Sequence, residues 1–124
     1  MNPRILVVDD NPANLDLVLY LVRSFGYEAD GARDGLDGWA SASTEAYDLI
    51  LTDILMPGID GYEFARRLAG LPKRPRVIAY TALAMSGDRD RMLAAGFDDY
   101  LSKPIEPMEF RRFIEDALGH HPDR

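Results

Sequence analysis

Ile5-Leu6-Val7-Val8-Asp9-Asp10 decides how this chain is read. Four aliphatic side chains in a row, three of them β-branched, are cut off by two carboxylates. So short a run with no polar alternation is a strand buried on both faces, the condition of a parallel sheet covered by helices on either side. Working outward, Leu49-Ile50-Leu51 ends the same way in Thr52-Asp53, and Val77-Ile78-Ala79-Tyr80 ends in Thr81. Tyr27 to Ala32 and Asp99 to Ser102 are less apolar and are expected nearer the sheet edges.

Segments of helical period separate these runs. Leu15, Val18, Leu19 and Val22 follow the i, i+3, i+4, i+7 spacing, with Pro12 suited to the first turn and Gly26 to the position past the end. Phe110, Phe113, Ile114 and Ala117 repeat it between Pro107 and Gly119. Asp60 and Glu63 have the spacing of a capping box ahead of Phe64, Ala65 and Leu68. Leu36 to Glu45 is a poorer helix anchored by Trp39. Ser86 to Ala95 is poorer still, because Asp88-Arg89-Asp90-Arg91 leaves only Met92 and Leu93 to bury. A helix with so little apolar face is held loosely. Five strands alternating with five helices predict an α/β fold with right-handed crossovers and helices on both faces of the sheet.

The 124 residues fit one domain, with a core over 4–119 and a frayed tail over 120–124. The net charge of −7 opposes affinity for a phosphate backbone, so direct nucleic-acid binding is not expected. The absence of cysteine excludes disulfides, thiolate metal sites and a thiol nucleophile. No apolar stretch nears the ~20 residues that span a bilayer, and no basic-then-apolar leader opens the chain, so the expectation is a cytoplasmic protein without a membrane partner. His120 and His121, in the terminal tail, read as solvated rather than as metal ligands.

Ligands of open parallel sheets bind beyond the carboxyl ends of the strands. The residues at those ends are Asp9 and Asp10, Asp53, Thr81 and Lys103. Taken singly, each has a plainer reading: helix-start capping for Asp9-Asp10, a turn for Asp53, a strand-end hydroxyl for Thr81, a surface amine for Lys103. Together on one rim they are chemically complementary. Clustered carboxylates repel one another unless a proton or a cation intervenes, and an all-oxygen set suits a hard divalent ion such as Mg2+. With that charge offset, an aspartate can act as nucleophile toward a phosphoryl group, and an ammonium and a hydroxyl can stabilise the transferring oxygens.

Four segments carry a resemblance that covers residue 4 to about 119: Ile5 to Asp10, Asp53-Ile54-Leu55-Met56-Pro57-Gly58-Ile59-Asp60-Gly61, Ala79-Tyr80-Thr81-Ala82, and Gly96-Phe97-Asp98-Asp99-Tyr100-Leu101-Ser102-Lys103-Pro104. In this order and spacing they resemble the receiver domains of two-component response regulators, the CheY-like superfamily. The resemblance implies a flavodoxin-like (βα)5 doubly wound parallel sheet of strand order 2-1-3-4-5. It implies that Asp53 is the phosphoacceptor, that Asp10, Asp53 and the main-chain carbonyl of Leu55 ligate Mg2+ (or Mn2+), and that Asp9 acts through metal-bound water. Thr81 and Tyr100 match the switch residues. Lys103 matches the ion-pairing lysine, and its bond to Pro104 is expected to be cis. The implied partners are a sensor histidine kinase or histidine phosphotransfer protein and a downstream protein target, engaged through the helix 4–strand 5–helix 5 face. The implied state is a monomer or a phosphorylation-dependent dimer. Such a protein is not an enzyme beyond its own phosphorylation and slow dephosphorylation. The apolar Leu55 and Leu83 stand where polar residues of relatives orient the attacking water, which implies slow hydrolysis. Met1 at the start and the short tail carry the expectation of a stand-alone receiver, with the cut-out receiver of a larger regulator as the alternative.

Other chemistries fit less well. A haloacid dehalogenase-type phosphatase needs a second aspartate two positions after its nucleophile, where Asp10 is followed by Pro12. A flavodoxin needs a hydroxyl- or glycine-rich phosphate cradle, which Asp9-Asp10-Asn11-Pro12 does not offer. A receiver-like binding module that is never phosphorylated would be expected to lack one of the five site residues.

Overall fold

The computed structural model describes residues 3–81 and 88–119. Along the chain run β1 (Arg4–Val8), α1 (Pro12–Ser24), β2 (Glu28–Ala32), α2 (Gly35–Thr44), β3 (Leu49–Thr52), α3 (Gly61–Leu68), β4 (Arg76–Thr81), α4 (Asp88–Ala95), β5 (Asp99–Ser102) and α5 (Pro107–Leu118). The strands form one parallel sheet in the order β2-β1-β3-β4-β5, the expected one, with the two polar strands at its edges.

Strand alternation divides the apolar side chains into two layers. Ile5, Val7, Leu49, Leu51, Ile78 and Tyr80 pack under Leu15, Val18 and Val22 of α1 and Phe110 and Ile114 of α5. Leu6, Val8, Ile50, Val77 and Ala79 face the other way, toward Ala42 of α2, Phe64, Ala65 and Leu68 of α3, and Met92 of α4. Each fully buried aliphatic side chain contributes about 1.5–3 kcal/mol, so the uninterrupted apolar runs of β1 and β3 are what specify the middle of the sheet.

The helix starts are chemically marked. Asn11 caps α1, Asp34 caps α2 and Asp60 caps α3, each side chain accepting from a main-chain N–H three residues on. Gly26 (φ 97°) and Gly119 (φ 66°) take the left-handed backbone just past α1 and α5. The weaker helices differ from their sequence reading. In α2, Trp39 is only half-buried, and the buried positions are Gly35 against Ile59, Gly38 against Val8 and Phe64, and Ala42 in the core. A Cβ at Gly38 would come within 3.0 Å of Val8 and 3.1 Å of Phe64, so backbone proximity rather than a large anchor holds α2. In α4, Met92 is buried but Leu93 is 43% exposed. Its Arg91, expected on a solvated face, lays its guanidinium 4.2 Å from the centre of the Tyr62 ring on α3. The helix runs from Asp88, and Leu83 lies outside the described residues.

Candidate functional site

The pairing register sets the site before any side chain is considered. Val8 is level with Thr52, Thr52 with Ala79, and Tyr80 with Leu101. One residue further, Asp9, Asp53 and Tyr80 therefore stand in one row across β1, β3 and β4. The main chain continues this order past the strands: Asp9 N–H donates to Ala32, Asp53 N–H to Val8 and Lys103 N–H to Thr81, each at 3.0–3.1 Å. The row lies at the carboxyl ends of the strands, as the sequence predicted.

Asp9, Asp10 and Asp53 each bring a carboxylate oxygen within 4.8 Å of the other two. Asp9 is fully buried and Asp53 nearly so, while Asp10 is exposed at the mouth. Lys103 Nζ donates to Asp53 Oδ2 at 3.0 Å and to Asp9 Oδ2 at 3.4 Å, with its side chain 19% exposed. The remaining carboxylate oxygens meet main-chain donors, Asn11 N–H on Asp9 Oδ1 at 2.9 Å and Ile54 N–H on Asp53 Oδ1 at 2.7 Å. Burial pushes the Asp9 carboxyl above the usual range, against the opposing pull of the Asn11 amide and the Lys103 ammonium. Three carboxylates against one ammonium leave an excess of negative charge that a divalent cation would offset. The donors are all hard oxygens, the set that Mg2+ takes.

The loop after Asp53 is held from below. Ile54 and Met56 point into the core, whereas Leu55 is 63% exposed. Gly61 N–H donates to the Ile54 carbonyl at 2.8 Å, and a Cβ at Gly61 would fall 2.5 Å from the Asp53 carbonyl oxygen. Gly61 is thus the close-contact point that lets α3 begin directly against the loop carrying Asp53. Thr81 is buried at the end of β4, and Tyr100 on β5 is half-buried against the α2/α3/α4 layer. The Lys103–Pro104 bond is cis, as expected. One neighbour was missed by the sequence reading: Tyr80, taken there only as the end of an apolar run, sits with its ring 4.4 Å from Lys103 Nζ.

A wound parallel sheet of this order with an acidic cluster and one lysine at its carboxyl edge defines a class of phosphoacceptor domains, and comparison with known proteins agrees. The family model of the response regulator receiver domain matches residues 5–115. The chain belongs to that family. It is 39% identical over 116 residues to the hybrid signal transduction histidine kinase G of Dictyostelium discoideum, covering 90% of this chain and 3% of that protein. It is 38% identical over 121 residues to the sensor protein GacS of Pseudomonas syringae pv. syringae, covering 90% of this chain and 13% of that protein. The chain thus spans only a small part of these relatives. Among solved structures, the receiver domain of the sensor histidine kinase PA1611 from Pseudomonas aeruginosa superposes with a TM-score of 0.88 at 37% identity, covering 96% of this chain and 99% of that one. That domain carries a magnesium ion coordinated in its active-site cleft. The cluster of Asp9, Asp10 and Asp53 fits the phosphoacceptor site of the family. Among the described residues no helix is long and apolar enough to cross a membrane.

Proposed function

We propose that the chain is a phosphorylation switch in which Asp53 accepts a phosphoryl group. The observation that carries this reading is the contact of the Lys103 ammonium with both Asp53 and Asp9, inside a cluster of three carboxylates. An ammonium so placed stabilises anionic oxygen brought to Asp53, and the carboxylates around it offer the ligands for a divalent ion.

In this mechanism Asp10, Asp53 and the main-chain carbonyl of Leu55 would hold Mg2+ or Mn2+, and Asp9 would act on it through water. A bound ion would supply the positive charge that lets an anionic donor approach an anionic nucleophile. A carboxylate oxygen of Asp53 attacks the phosphorus of a phosphohistidine; the O–P bond forms as the N–P bond breaks, and the imidazole leaves. Lys103 neutralises the equatorial oxygens, and the Thr81 hydroxyl donates to one of them. Hydrolysis reverses the state: water attacks phosphorus, the acyl-phosphate O–P bond breaks, and the carboxylate and inorganic phosphate are released. The exposed aliphatic side chain of Leu55 orients no water, which supports a slow return.

Thr81 and Tyr100 transmit the change to the α4–β5–α5 face. The sparse apolar attachment of α4 supports this, since a helix held by few contacts responds to small forces at its edge. The phosphodonor is a sensor histidine kinase or a histidine phosphotransfer protein, consistent with relatives that are themselves sensor kinases. The readout is docking on a downstream protein target in the cytoplasm, as a monomer or as a dimer formed on phosphorylation, with residues 4–119 acting as one receiver domain.

Beryllofluoride, a mimic of the acyl phosphate, tests the site. With Mg2+ present it is expected to shift the amide signals around Asp53, Thr81 and Lys103, and to shift nothing in Asp53→Ala. Equal responses in the two proteins would overturn the assignment and leave a receiver-like binding module.

A further inference from the structure

The strand order obliges Lys103 to cross a neighbour to reach its carboxylates. Lys103 follows β5, Asp53 follows β3, and β4 lies between them. Adjacent strands are about 4.8 Å apart, so the ammonium spans two strand spacings, and its stem passes over whatever side chain β4 presents in that row. That side chain is Tyr80. Tyr80 pairs with Leu101, and Lys103, two residues on, shares its face of the sheet by strand alternation.

We propose that Tyr80 is a positioning residue for the phosphoryl-binding lysine, its ring face forming the floor that holds the Lys103 ammonium over Asp53. This rests on the phosphoacceptor reading of the site. The ring centre lies 4.4 Å from Lys103 Nζ, inside the ~6 Å reach of a cation–π contact. The ammonium has three donors and a flexible four-carbon stem. Two donors meet Asp53 and Asp9 on one side, and the ring takes the other side without competing for an acceptor. The ring is 4% exposed, so it is fixed by the α1/α5 layer and cannot swing away with the lysine. Burial and the two carboxylates hold its phenol well above the ordinary value, so the group beside the ammonium stays neutral. Facing Asp9 and Asp53 alone, the negative π-face would be repelled. The ammonium between them makes the arrangement favourable, and when a phosphoryl group takes over the Asp53 contact the ring still holds the lysine in place.

The test is a graded series on the full chain: the parent, Tyr80→Phe, and position 80 carrying 3,5-difluoro- and then pentafluorophenylalanine, near-isosteric rings of falling quadrupole. Two quantities are read. One is the ring-current upfield shift of the Lys103 ε-methylene protons in metal-free protein, compared with Tyr80→Leu. The other is the beryllofluoride concentration at half-saturation with Mg2+. The expected result is an upfield shift present with every unfluorinated ring and lost in Tyr80→Leu. Half-saturation is expected within about 2-fold of the parent in Tyr80→Phe, then to rise in steps to about 3- to 30-fold across the fluorinated rings, the range such a contact supplies. A flat series in a parent that binds beryllofluoride would overturn the role of Tyr80 and leave the phosphoacceptor reading standing. A parent that binds none would overturn that reading, and this inference with it.

Discussion

Lys103 is one of only two lysines in a chain otherwise supplied with arginine, and it is the one whose side chain is drawn into the acidic rim. A compact ammonium can lie between two carboxylates and over a ring; a planar guanidinium makes a different fit. Two residues past Asp53, Leu55 is an exposed aliphatic side chain with nothing to offer a water molecule. The expectation for the acyl phosphate follows from the resemblance to receivers that carry polar residues at these two places: Leu55→Asn and Leu83→Glu lose label faster than the parent in a time course of phosphorylated protein, and a parent faster than both would contradict it. The carboxylates and Thr81 were legible in the sequence because they follow abruptly on apolar runs, and Lys103 because it follows the less apolar fifth strand just ahead of Pro104. Tyr80 was not, because its role depends on which strand lies between β3 and β5, and an aromatic inside an apolar run carries no sign of a cation 23 positions away in sequence.

Among the elements, β1, β3 and β4 are runs whose burial is nearly complete, and α1 buries Leu15, Val18 and Val22 of its periodic stripe, so composition and position agree. Both weak helices lie where the sequence places them, and their buried anchors depart from the periodic pattern for a common reason. Helical period assigns large apolar residues to the core, but α2 sits so close to the sheet that only glycine and alanine fit, and Trp39 is left at the margin. In α4 the buried anchor is Met92 alone on the side facing the sheet, helped by Ala95, and a charged residue, Arg91, makes the second attachment through Tyr62. Amide exchange is therefore expected to be faster through α4 than through α1 and α5, and faster again in Arg91→Ala. Protection of α4 equal to that of α1 would contradict the loose attachment. The start of α3 is the opposite case. Gly61→Ala places a methyl against the Asp53 carbonyl, and overpacking of this kind costs about 1–3 kcal/mol, read as a lower urea midpoint together with weaker beryllofluoride binding.

Across the whole molecule the two ends of the sheet are built for different purposes. At the carboxyl end, like charges are crowded around one ammonium. At the amino end one cation is shared by two carboxylates: the Arg4 guanidinium pairs with Asp30 and Glu45 and lies over Tyr47, whose phenol donates to Asp30 at 2.7 Å with Glu45 Oε2 3.3 Å away. Burial, then the Asp30 and Glu45 carboxylates, hold the Tyr47 phenol far above its ordinary value of 10.0. A folded-state value raised in this way gives stability that is complete below about pH 10 and is lost as pH rises beyond it, because the unfolded chain releases the proton first. Urea midpoints are expected to fall above about pH 10, and to fall less steeply in Tyr47→Phe. An unchanged slope in that variant would show that the phenol is not the group responsible.

The central claim is that one carboxylate, Asp53, is made reactive by its surroundings. Reaction of the intact chain with acetyl phosphate and Mg2+, followed by borohydride reduction and mass mapping of the acyl phosphate, tests it most directly. The account predicts a single phosphoryl group on Asp53, lost on chelation of the metal and absent from Asp53→Asn. No incorporation with Mg2+ present, or incorporation that persists in Asp53→Asn, would contradict it.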